Sequence, residues 1–172
     1  TQQGARITGK RSRPQKLAAV AATVALVAIR PMPAAGQSSD DDLAAKATDL
    51  GAGQWRYEYA LQNVDSDRAA GSFSVPVLAG VNITNVGFHD VDYHSGEPFD
   101  LTDWTSSSAP GELRWSTVSH ATNPNANALR WDTIYSFWFE TNSAPAPGSV
   151  TLGLFKPGAT SGRLSTSSTI SG

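Results

Sequence analysis

Trp55-Arg-Tyr-Glu-Tyr-Ala-Leu-Gln62 decides the fold. Trp55, Tyr57, Tyr59 and Leu61 alternate with Arg56, Glu58, Ala60 and Gln62. The period is two, not 3.6, so one face of an extended strand is apolar and the other polar. A strand with one buried and one wet face belongs to an antiparallel sheet packed on one side only.

Working outward from this strand, Asn63–Gly71 is a loop of turn-forming residues, and Ser72–Leu78 is a second strand that Pro76 marks as an edge or an early end. Ala79-Gly80 turns into a third strand, Asn82–Tyr93, with Gly87 as a bulge position. His94–Pro110 is irregular and rich in turn residues. Glu112–Val118 is a strand, Asn123-Pro124-Asn125 a loop, Leu129–Thr141 one or two strands, and Ser149–Phe155 the last strand. Short strands at close spacing, with Gly- and Pro-rich joints and no helix among them, predict an all-β fold. The expected architecture is a single antiparallel β-sandwich of six to eight strands, jelly-roll-like or immunoglobulin-like.

All five Trp, four Tyr and six Phe fall between Trp55 and Phe155. Aromatic burial dominates a small core, so residues 51–158 are read as the folded domain. Residues 37–50 read as a polar linker, with the acid run Asp40–Asp42 and a short helical turn at Leu43–Ala47. Residues 159–172, rich in Ser and Thr, have little to bury and read as a disordered tail.

Residues 1–36 read as a signal peptide with a helical apolar segment. Lys10–Lys16 is basic, Leu17–Ile29 is uncharged and apolar, and Ala34-Ala35-Gly36 offers a cleavage site. The run is too short for a membrane anchor and is stopped by Arg30-Pro31. No stable membrane span is therefore expected in the mature chain, which would be secreted or at the cell surface, with the periplasm as an alternative. The 172 residues carry a formal charge of −2, but residues 1–36 hold six basic and no acidic residues. Without them seven basic residues face fifteen acidic ones, a net charge of −8. Such a domain repels phosphate backbones, so no nucleic-acid partner is expected. With no cysteine, disulfides and thiol chemistry are excluded.

Several stretches together carry a family resemblance. They are Gln54–Asn63, Gly71–Val77, Asn85–His94, Asn127–Trp131 with Tyr135–Phe139, and Leu152–Gly158. Over about residues 51–158 the chain resembles a family of bacterial exported β-sandwich proteins, some of which end in a sorting signal with a Pro-Glu-Pro motif. The resemblance implies an exported β domain. It supplies no activity and no functional residues, and the tail here has no Pro-Glu-Pro.

Two clusters carry candidate chemistry. If the third strand persists to His94, then Asp90, Asp92 and His94 share one face, and with Glu97 they could ligate a divalent cation. Oxygen-rich ligands favour Ca2+, and the imidazole admits Zn2+ or Mn2+. The spacing is not that of an EF-hand, since Gly96 comes one place late and Leu101 stands where Glu is needed. The plainer reading is a polar strand face running into an acidic loop. The second cluster is aromatic. Trp104 lies in the acidic loop, and Trp138 is on the opposite face of its strand from Tyr135, Phe137 and Phe139. Both are candidates for ligand binding by stacking on a sugar ring, whereas Trp55, Trp115 and Trp131 read as core. No Gly-x-Ser-x-Gly, His-Glu-x-x-His or phosphate-binding glycine loop is present. The expectation is a non-enzymatic exported module with a structural, adhesive or surface-associated role and a glycan or surface component as partner, stabilised in one variant by Ca2+. A carbohydrate-binding module using exposed Trp is the alternative, and a metal-assisted hydrolase a remote one.

Overall fold

A computed structural model describes residues 27–29, 41–92, 98–158 and 163–171. The described residues form ten strands: β1 (Val27–Ile29), β2 (Asp41–Gly51), β3 (Gln54–Asn63), β4 (Ala70–Pro76), β5 (Ile83–His89), β6 (Thr105–Ala109), β7 (Glu112–Ser116), β8 (Thr133–Thr141), β9 (Ala146–Leu154) and β10 (Arg163–Ser171). They make two five-stranded sheets, β1-β2-β3-β8-β5 and β10-β9-β4-β7-β6. Every pairing is antiparallel. The fold is a β-sandwich, as the period-two reading predicts. Its central pairs are nested: β3 joins β8 in the first sheet, and β4 joins β7 in the second. This is the wrap of a folded-over hairpin, which makes the sandwich jelly-roll-like.

The core lies between the sheets. Tyr57, Tyr59 and Leu61 of β3 point inward with Tyr135, Phe137 and Phe139 of β8, against Phe73, Val75, Leu113, Trp115, Val150 and Leu152 of the second sheet. Ring contacts cross the interface: Phe73 to Phe137 at 4.7 Å, Tyr59 to Phe73 at 5.4 Å and Trp115 to Phe137 at 5.4 Å. Aromatic pairs at such separations add to plain area burial.

Five segments differ from the sequence expectation. Asp41–Gly51, read as a linker with a helical turn, is β2, paired with β3 along its length. Leu43, Ala45 and Ala47 are buried while Ala44, Lys46 and Thr48 are half-buried. The alternation is present, but alanine supplies two of its three apolar positions and hides it. Thr105–Ala109, in the stretch read as irregular, is β6; all five residues are exposed, so no hydrophobic alternation marks it. It closes a hairpin with β7 through Pro110-Gly111, where Gly111 takes φ 89°. Arg163–Ser171, read as a disordered tail, pairs with β9 as β10. Such pairing uses backbone groups and needs no apolar side chain. The third strand ends at His89 rather than Tyr93. Of the expected export segment only Val27–Ile29 is described, as a strand against β2 rather than a helix; the remainder lies outside the described residues. No helix among the described residues is long and apolar enough to cross a membrane.

Candidate functional site

The outer face of the first sheet carries every second residue of β2, β3 and β8, and register sets them in rows. Lys46 stands beside Glu58, Glu58 beside Trp138, and Trp138 beside Gly87 of β5. The next row is Ala44, Ala60, Ser136 and His89. Across β2, β3 and β8 the first row is long and the second short; on β5 the order reverses, with Gly87 in the first row and His89 in the second. Between them lies a trough of about 290 Å3, lined by Ala44, Lys46, Glu58, Ala60, Ser136 and Trp138 among others.

Trp138 is half-buried, because its indole lies against the sheet rather than standing off it. A Cβ built on Gly87 would fall inside the Trp138 ring, on Cε2, Cζ2 and Nε1. Glycine is thus required at that position by close approach. The bulge expected at Gly87 is present, as a register shift between Thr84 and Gly87 with Asn85 at φ 49°. It opens a seat for the ring, and Arg56 places its guanidinium carbon 6.0 Å from the ring centroid.

A ladder of polar groups frames the indole. Lys46 Nζ lies 3.2 Å from Glu58, and Arg56 Nε lies 3.4 Å from the other Glu58 oxygen. Arg56 also reaches Glu140 at 3.3 Å, where Asn85 Nδ2 donates at 2.7 Å. Burial opposes ionisation of Glu58, but its hydrogen bonds to Lys46 and the charges of Lys46 and Arg56 outweigh it and hold the carboxyl below its usual range. The two cations and two anions cancel, so the ladder itself presents donors and acceptors without net charge.

Trp104 does not belong to this face, or to any surface. It is 4% exposed, stacks on Phe88 at 5.7 Å and meets Tyr135 edge-on at 5.8 Å. Its Nε1 donates to the Asn127 carbonyl. Trp104 precedes β6, and the inward turn at that point carries it into the core despite its polar neighbours in sequence. Trp131, read as core, is instead 55% exposed beside the left-handed Asp132. Trp115 is buried as expected and Trp55 is half-buried.

One member of the acidic cluster, Asp90, joins a structural network. Because β5 stops at His89, Asp90 turns back toward the protein, and its carboxylate accepts a hydrogen bond from Asn127 Nδ2. Asn127 is fully buried; its Nδ2 also donates to the Thr102 carbonyl at 3.3 Å, and its Oδ1 accepts from the Tyr135 hydroxyl at 2.6 Å. Asp92 is exposed, and His94 and Glu97 lie outside the described residues. Among the described residues no three of His, Asp and Glu come together as metal ligands would. Asp100 caps its own turn, accepting from Thr102 N at 2.8 Å and from Asn123 at 3.2 Å.

Compared with family models, curated proteins and solved structures, the chain matches none.

Sequence reasoning puts Trp138 on the face away from Tyr135, Phe137 and Phe139 but misses its setting. Lys46 and Ala44 sit in the segment read as a linker. Gly87 was legible as a bulge but not as the seat of an indole, because the pairing of β5 with β8 joins residues some fifty positions apart and leaves no local signal.

Proposed function

We propose that this chain is an exported, non-enzymatic β-sandwich with an adhesive role at the cell surface or outside the cell, and that it holds glycan through the outer face of its first sheet. One observation carries the reading: the Trp138 indole is laid flat over Gly87 and framed by a charge-balanced ladder. A flat, pre-positioned aromatic face suits the apolar face of a sugar ring, and a ring already seated loses little freedom on binding. The ladder supplies donors and acceptors for hydroxyl groups.

The electrostatics favour binding over hydrolysis on this face. A glycosidase keeps one carboxyl protonated by raising its pKa. Glu58 is shifted the other way, and Glu140 is tied to Arg56 and Asn85. The paired acids are thus held as hydrogen-bond acceptors. The export half of the proposal rests on the signal-type segment and the acidic mature composition.

Binding of the purified protein to an immobilised glycan panel tests the reading. Trp138→Ala is expected to abolish retention, and Gly87→Ala to weaken it by pushing the ring off its seat, while Trp131→Ala retains it. Unchanged retention by Trp138→Ala removes this face from the proposal. A wild-type protein that binds no glycan overturns it.

A further inference from the structure

We infer that the trough beside Trp138 takes an internal stretch of a linear, neutral polysaccharide laid across the strands of the first sheet. The inference rests on the glycan reading above and names the ligand's shape and charge.

Shape follows from register. The floor runs through Ala44, Ala60 and Ser136, one residue per strand, and its row ends at the sheet rim in the larger, exposed His89 on edge strand β5. The small-residue floor covers two strand spacings, about 10 Å, and the row to the rim three, about 14 Å, both longer than one sugar ring. On one side stand Lys46, Glu58 and Trp138; on the other the next row is Asp42, Gln62 and Ile134. Small side chains between two rows of longer ones make a channel that runs perpendicular to the strands. A channel reaching the rim admits a chain continuing past it, whereas a closed pocket would select a terminal sugar. A branch pointing down would meet the floor.

Charge follows from the ladder. Lys46 and Arg56 are each within 3.4 Å of Glu58, and Arg56 also holds Glu140. Neither cation is left over for a uronate or sulfate, and the exposed Asp42 on the facing wall repels both. Binding an anionic polymer would mean breaking an existing pair, while hydroxyls can share the same atoms without separating them.

Isothermal titration with neutral oligosaccharides of glucose, mannose and xylose, from monomer to hexamer, tests this, with a polyuronate as the charged probe. Affinity is expected to rise about tenfold or more from monomer to tetramer and then level off. The polyuronate is expected to bind at least about tenfold more weakly than the best neutral chain. Ala60→Phe, which fills the floor with a good strand former, is expected to remove binding at an unchanged melting temperature; Ala44→Leu serves the same purpose should that variant not fold. A monosaccharide bound as tightly as the hexamer, a preference for polyuronate, or full binding by the filled variants overturns the inference and leaves glycan recognition standing. Absence of any saccharide binding by the wild type overturns both.

Discussion

Asn127 is the residue on which most of the loop end depends. One buried amide side chain holds Asp90, Thr102 and Tyr135, while its backbone carbonyl holds Trp104. Removing it strands several buried polar groups at once, and each costs roughly 1–3 kcal/mol when left unpaired. Asn127→Ala is therefore expected to lower stability by about 3 kcal/mol in urea denaturation. Asn127→Asp is expected to be no better, because it sets a second carboxylate against Asp90. A loss below about 0.5 kcal/mol for the alanine variant would show that the network is dispensable. Of the acidic cluster, Asp90 thus has a structural partner in this amide, while Asp92 stands exposed.

At the scale of elements, legibility tracked side-chain size. β3 and β8 could be read directly, because large aromatics mark each inward position. β2 follows the same alternation with alanine and so reads as a linker. β6 has no apolar residue but Ala109 and could not be found from pattern at all. The trough inherits this history: its Trp138 wall lies on a legible strand, its Lys46 and Ala44 on an illegible one. The integration of β2 into the sandwich can be tested at Ala45, which is 2% exposed and packs in the core. Ala45→Asp buries a carboxylate among apolar groups and is expected to cost about 3 kcal/mol or more, measured by urea denaturation. Lys46→Ala, one residue away on the outer face, is expected to cost less than about 1 kcal/mol, since it removes one exposed ion pair. Equal, small effects at both positions would mean that this strand is no part of the core.

The whole molecule carries a titration built from its tyrosines. Burial pushes the Tyr57 hydroxyl up to about 12, and it donates to the Ser143 carbonyl at 2.8 Å. Burial raises Tyr59 and Tyr135 as well, with the charges of Tyr57 and Asp90 acting in the same direction. A raised folded-state value means the unfolded chain gives up its protons first. The stability these groups contribute is complete below pH 10, their ordinary value, and for Tyr57 is lost as the pH rises toward about 12. The tyrosinate absorbance of these three residues is thus expected to appear together with loss of the β-sheet circular dichroism signal, in one alkaline transition. Three tyrosines that ionise freely near pH 10 in a still-folded protein would contradict the buried placement.

The nested pairing of β3 with β8 has a consequence for the order in which the chain closes. Arg56 and Glu140 meet across that pair although they are 84 residues apart. The first sheet cannot close until β8 is available, and contacts this distant in sequence form slowly, on the order of milliseconds to seconds. The strands β1, β2 and β3 can pair among themselves early, but the far edge of β3 stays open until β8 arrives. A chain cut short before Thr133 would therefore display Tyr57, Tyr59 and Leu61 along an unpaired strand edge, a template on which other copies could add.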